Sequence, residues 1–200
     1  MSRLTTHSIR AIPSALVAAA ALAAAGCGSG GSEPAAQPTP AATAAPAASA
    51  QIFASQRYRF RVTLGNDWSE QDATQAWNGK RLEGIGSSDF ANFTDRGGRA
   101  LVAAAARVPK AARLAEWRAA MVRAAPDFCT ESSAARRTTL GGEPALAWTS
   151  ACSDGYKVNK IAALHGRRGY MVFLPSPTGT SAARDRRIFE SIRRSFRFTA

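Results

Sequence analysis

Three cysteines, one histidine beyond position 7 and a scatter of carboxylates are the residues of this chain whose types can do chemistry. Cys129 and Cys152 stand far apart in sequence, whereas a redox pair ordinarily wants two neighbouring cysteines and an activated thiolate. His165 offers a single imidazole that scattered carboxylates would have to complete, so no metal site is expected. A serine hydrolase would require His165 to join Ser153 and Asp154, and no Gly-x-Ser-x-Gly elbow or phosphate-cradling glycine loop accompanies them. Gly84-Ile85-Gly86 lacks the strand-to-helix context of such a loop. Glu70, Asp72 and Glu83 flank Trp77-Asn78-Gly79, the residue types of a sugar site, yet the spacing sets no pair across a glycosidic bond, and a polar loop anchored by one Trp is expected. The pattern assigns no catalytic residue, no metal and no cofactor.

The compartment follows from the start of the chain. Arg3, His7 and Arg10 precede an apolar run from Ala11 to Ala25, of signal-peptide length and short for a membrane span. The run ends Leu22-Ala23-Ala24-Ala25-Gly26-Cys27, which resembles the bacterial lipobox, where the cysteine is acylated on sulfur before cleavage at its amino side. Ala24 stands where the commonest lipobox has Leu, and an Ala-x-Ala sequence also offers a site to the ordinary signal peptidase. The resemblance makes residues 1–26 a lipoprotein signal peptide and Cys27 the lipid attachment point, with the mature chain outside the cytoplasm on a bacterial membrane. Two or more acyl chains, at about 0.8 kcal/mol per buried methylene, anchor far more firmly than one. In that oxidising setting a Cys129–Cys152 disulfide is expected, and Cys27 accounts for the odd thiol.

Residues 27–51 read as a tether. From Gly28 to Ala50 every residue except Glu33 and Gln37 is Gly, Ala, Ser, Thr or Pro. Pro34, Pro38, Pro40 and Pro46 interrupt the alanines, giving an extended spacer of at most roughly 70 Å at about 3 Å per residue. Residues 52–200 then form one domain.

The precursor holds 26 Lys+Arg against 14 Asp+Glu, a formal +12. Loss of Arg3 and Arg10 with the signal leaves 24 against 14, or +10. Such a surface suits anionic lipid heads or acidic wall polymers, and the compartment disfavours nucleic acid. Arg184, Arg186, Arg187, Arg193 and Arg194 on a closing helix, beside Arg167 and Arg168 in a nearby turn, are the candidate polyanion contacts. An Ala- and Arg-rich composition also follows from GC-rich codons, and a solvated helix face has the same appearance.

The elements that must position these residues are legible from periodicity. Tyr58, Phe60, Val62 and Leu64 alternate with polar residues as a strand does, and Gly65-Asn66-Asp67 turns into Trp68. Phe90–Thr94 and Arg99–Val108 form a hairpin over Asp95-Arg96-Gly97-Gly98, although Ala103–Ala106 also suit a helix. A helix is expected from Pro109 to Pro126 on the stripe Leu114, Trp117, Met121 and Ala124. Arg136–Leu140, Ala145–Cys152, Tyr156–His165 and Tyr170–Leu174 continue an antiparallel meander, followed by a loop over Pro175-Ser176-Pro177-Thr178-Gly179. A last helix carries Ile188, Phe189, Ile192 and Phe196. No repeated β-α-β unit appears, so the fold class is α+β: an antiparallel sheet of about six strands flanked by helices.

The run Tyr58-Arg59-Phe60-Arg61-Val62-Thr63-Leu64 leading to Trp68 resembles the opening of PsbP-like lipoprotein domains, with Gly65 and Asp67 in place of the usual Pro and Gly. Leu140-Gly141-Gly142-Glu143-Pro144-Ala145, the Gly169-Tyr170 strand start and the closing Phe189 to Phe198 segment extend the likeness, in order, over nearly all of the domain. The resemblance implies an α/β/α sandwich. It also implies binding or assembly rather than catalysis, since the superfamily includes extrinsic subunits of the photosynthetic water-oxidising complex and a nuclear import factor that binds a small GTPase. No binding residue of those relatives maps onto a matching motif here. The expectation is a non-catalytic, membrane-tethered module with a protein or anionic-polymer partner; the alternatives are a basic surface module on anionic lipid or wall polymer, and a hydrolase, which requires His165 in a pocket beside a serine or carboxylate.

Overall fold

The computed structural model describes residues 50–80 and 90–200. The expected signal peptide, Cys27, the expected tether as far as residue 49, Glu83 and Gly84-Ile85-Gly86 lie outside the described residues. The strands are β1 Gln51–Ser55, β2 Phe60–Leu64, β3 Trp68–Gln71, β4 Ala91–Asp95, β5 Ala100–Arg107, β6 Cys129–Glu131, β7 Arg136–Leu140, β8 Glu143–Cys152, β9 Tyr156–His165, β10 Arg168–Pro177 and β11 Arg197–Phe198. The helices are α1 Leu114–Arg123, between β5 and β6, and α2 Ala182–Ser195, between β10 and β11.

The class is α+β, as the periodicity implies, with more strands than expected. Two antiparallel sheets form where one of about six strands was anticipated: a three-stranded sheet β1-β2-β11, and an eight-stranded one ordered β3-β4-β5-β10-β9-β8-β6 with β7 also on β8. The additional strands are short or weakly patterned. β3 buries only Trp68, β6 has three residues and β11 has two, so none shows a readable alternation. β1 begins at Gln51, expected as the last residue of the tether, because Gln51 pairs with Leu64 of β2 and extends the sheet by one residue.

Adjacent residues of β10 locate the layers. Gly169 faces Trp117 of α1, while the Tyr170 ring meets Phe196 and Phe198 on the opposite side. One face of the large sheet therefore carries α1 with Trp77 and Phe90; the other carries α2 and the small sheet. A Cβ at Gly169 would come under 3.0 Å from three Trp117 ring atoms, so only glycine lets that indole pack so close to the strand. Trp117 Nε1 then donates to the Tyr170 carbonyl at 3.1 Å. β5 is covered on both faces, which explains its alanines: Ala100 to Ala106 are all buried. Extended pairing with β4 and β10 overrides their helix preference.

Two boundaries differ from the sequence expectation. α1 begins at Leu114 rather than Pro109, because Pro109 to Ala112 close a turn and Glu116 accepts from the Arg113 backbone N–H at 3.3 Å, starting the helix there. β10 runs on through Pro175 and Pro177, residues expected in a loop. Its pairing with β5 ends at Phe173, so beyond that point one side of β10 is an edge where proline's missing N–H is tolerated.

α2 is anchored electrostatically. Arg99 Nε donates to Asp185 at 2.6 Å, its Nη1 lies 3.4 Å from Asp95, and Thr180 Oγ1 donates to Asp185 at 2.8 Å. The hydrogen bond Arg99 donates to Asp185 pushes its guanidinium pKa still higher, against the opposing effect of burial. This buried cluster ties the β4–β5 turn to the first turn of α2.

Candidate functional sites at the two ends of a hairpin

The β9–β10 hairpin positions most of the residues of interest. Its turn end holds His165, Arg167 and Arg168; its open end holds Tyr156, Val158 and Lys160 opposite Phe173 and Pro175. Ser153, Asp154 and His165 are not brought together. Ser153 and Asp154 precede β9 and His165 ends it, so the strand separates them by roughly 30 Å at about 3.3 Å per residue. His165 does lie beside a carboxylate at the edge of a recess, with Nδ1 2.8 Å from Glu143 Oε1, and its ring stacks on Phe198 at 4.2 Å between centroids. The sugar-site residues disperse as well. Trp77 is buried against Phe90 and Trp117, and Asp72 is occupied by the Ala73 N–H at 2.8 Å and the Ser55 hydroxyl. Among the described residues no group of three His, Cys, Asp or Glu side chains gathers as a metal site.

Cys129 and Cys152 form a disulfide, directly opposed in register between β6 and β8 with their Cα atoms 4.0 Å apart. The bond closes the hairpin-containing segment and pins the sheet edge, worth about 3–4 kcal/mol in the chain-entropy account.

The predicted arginines divide between two places. Arg167 and Arg168 converge with Arg59 and Arg107 around an open recess of about 470 Å³ that also touches His165 and Thr199. Arg186, Arg187 and Arg194 line a separate shallow recess on α2 with Glu190, and Arg184 is exposed on the first turn of that helix. Arg193 is held in an internal network, its Nε 2.8 Å from Glu190 and its Nη1 donating to the Thr139 carbonyl at 3.1 Å. Arg59 and Arg107 carry no sequence signal for this recess, because one comes from the turn before β2 and the other from the end of β5. Arg59 carries one conformational signal: its φ is +57°, the left-handed region that costs a non-glycine residue about 1 kcal/mol. The turn from Ser55, whose carbonyl accepts the Arg59 N–H at 3.0 Å, imposes it.

At the open end of the hairpin, on the α1 face, lies a recess of about 260 Å³. The disulfide, Val158, Phe173 and Pro175 line it together with Pro126 and Phe128 of the segment leaving α1, and Lys160 is its one basic residue among those described. Phe128 is half exposed, unusual for a large aromatic side chain. Lys160 is 7% exposed, and burial lowers its pKa, with Glu131 pulling weakly the other way. The sequence held a faint sign of it: Lys160 follows Tyr156 and Val158 at the same strand parity, an inward-facing lysine.

No family model and no curated protein matches this sequence. Similarity appears in folded form. A cyanobacterial PsbP, CyanoP from Synechocystis, matches with a TM-score of 0.53 at 12% identity, covering 78% of this chain and 95% of that one. LpqN, involved in cell envelope biogenesis of Mycobacterium tuberculosis, matches at 0.47 and 11% identity over 79% of this chain and 88% of its own. The Ran-binding protein Mog1p of Saccharomyces cerevisiae matches at 0.45 and 6% identity over 76% and 96%. With its layer order and the CyanoP match over nearly the whole of that protein, the domain has the PsbP-like fold.

Proposed function

We propose that this chain is a bacterial extracytoplasmic lipoprotein in which a non-catalytic PsbP-like module, held to the membrane through acylated Cys27 and a tether ending before Gln51, binds a ligand or partner. The observation that carries the binding half is the apolar recess over the disulfide, with Phe128 exposed at its edge and a buried lysine in its wall. The lipobox and a disulfide made for an oxidising compartment support the location. Intact mass and membrane fractionation of the full chain beside Cys27→Ser test the tether. An added acyl mass and membrane pelleting, both lost in the variant, are expected; an unmodified, soluble wild-type chain contradicts it. A turnover abolished by one substitution in the domain would contradict the non-catalytic reading.

A second reading is favoured by the four-arginine recess at the hairpin turn, where Arg59, Arg107, Arg167 and Arg168 offer a basic surface to anionic lipid or wall polymer. The full-length Cys27→Ser chain should then bind acidic vesicles at low salt and release as ionic strength rises. Absence of binding at low salt removes this reading.

A further inference from the structure

Lys160 is a buried cation without a counter-ion. Its register partners are Trp148 on β8 and Phe173 on β10, and among the described residues no hydrogen bond or ion pair holds its ammonium. Glu131 acts on it through space but is engaged by Arg118 at 2.5 Å. On the same sheet face Trp148 Nε1 and Arg118 Nε are buried and unpartnered. They belong to one cluster, since the Arg118 guanidinium lies 5.2 Å from the centre of the Trp148 ring. Buried N–H donors in folded proteins almost always meet an acceptor. Here three donor-bearing side chains share a patch of one sheet face on which Glu131 is already held by Arg118, and of the three only Lys160 lines the recess.

The wall beside Lys160 is hydrocarbon: Pro126, Phe128, Val158, Phe173 and Pro175. Asp154 at the same recess is exposed and accepts from the Tyr156 N–H at 3.3 Å. A polyphosphate would bring several charges to a wall with one cation, a sugar would find few polar partners, and a metal cation would be repelled. What matches both features is one negative charge on an apolar body. At about 260 Å³ the recess is at the small end of ligand cavities, room for a single chain.

We propose that this recess binds a fatty-acid-like monocarboxylate, its head met by Lys160 and its tail lying along Phe128, Val158, Phe173 and Pro175. The assignment rests on the binding module proposed above and names its ligand class.

Calorimetric titration of the full-length Cys27→Ser chain with laurate, dodecanol and dodecyltrimethylammonium tests it. Laurate should bind at least about tenfold more tightly than either of the others. Lys160→Met should bring laurate down to the dodecanol level and leave dodecanol unchanged. Phe128→Ser, at an exposed position, should weaken both while the thermal transition stays in place. Equal affinity for laurate and dodecanol in the wild-type chain overturns the carboxylate proposal yet leaves the recess as a binding site. If none of the three probes binds, the proposal falls together with the recess as the module's binding surface.

Discussion

The two ends of the β9–β10 hairpin hold positive charge in opposite ways. At the turn, Arg59, Arg107 and Arg167 are exposed around an open recess, each solvated and free to meet whatever anion approaches. At the other end Lys160 is almost wholly buried beside apolar walls. Charge in water costs little to keep and gains little from a partner; charge out of water costs more and gains more. The turn end is therefore suited to weak, salt-sensitive surface contact, and the open end to selective capture of one anionic group. The same strand pair supplies both because its open end is covered by the segment after α1, while its turn, beside the end of β5, borders an open recess.

The largest expected effect removes only the buried end. Cys129→Ser with Cys152→Ser should lower unfolding free energy by about 3–4 kcal/mol. Chemical denaturation reads this loss, and vesicle binding at low salt should survive in the fraction that stays folded. Next, Gly169→Ala drives a methyl group into Trp117 and should cost about 1–3 kcal/mol by overpacking. Indole fluorescence should report the displaced ring.

Lys160→Met has the opposite sign. Replacing an unpaired buried cation by an apolar side chain of similar size should stabilise the fold by about 1 kcal/mol or more at neutral pH. The pH dependence sharpens the point. Because burial lowers the Lys160 pKa in the folded state, the unfolded chain binds more protons between the folded and unfolded values. Wild-type stability contributed by this group should rise with pH through that window and be lowest below it, and the Met variant should lose the rise. Glu131, Arg118 and Asp154 are the charged groups around it, and Glu131→Gln should deepen the penalty.

The smallest effects lie at the exposed end. Arg167→Gln with Arg168→Gln should change stability by less than about 0.5 kcal/mol while flattening the salt dependence of vesicle binding. Arg59→Gly should gain about 1 kcal/mol by releasing the left-handed backbone strain, and should weaken vesicle binding. Neither change should alter laurate affinity.

What the sequence revealed follows the same physical division. Long strands with one buried face, such as β2 and β9, announce themselves by alternation, and α2 by its apolar stripe and the Asp185-to-Arg194 charge order. β3, β6 and β11 are too short to carry a period, and their pairing is decided by partners far along the chain. Cys129 and Cys152 were readable because a disulfide requires only two thiols and an oxidising compartment. The gathering of Arg59 and Arg107 with Arg167 and Arg168 was not, since sheet topology brings them together. Arg193 looked identical to Arg194 in the sequence, and only the Glu190 and Thr139 contacts distinguish a structural arginine from an available one. Lys160 was passed over for a related reason: a lysine in a strand ordinarily snorkels to water, and here Trp148 and Phe173 flank it on both neighbouring strands.

The central claim, that one end of the hairpin captures a ligand and the other meets a surface, is tested most directly by a nuclear magnetic resonance titration. Laurate is added to the isotopically labelled full-length Cys27→Ser chain and amide shifts are mapped onto the fold. The account predicts shifts concentrated at Cys129, Cys152, Val158, Lys160 and Phe173, with Arg59, Arg107, Arg167 and Arg168 silent. Shifts centred on the four arginines, with the Lys160 end unmoved, would contradict it.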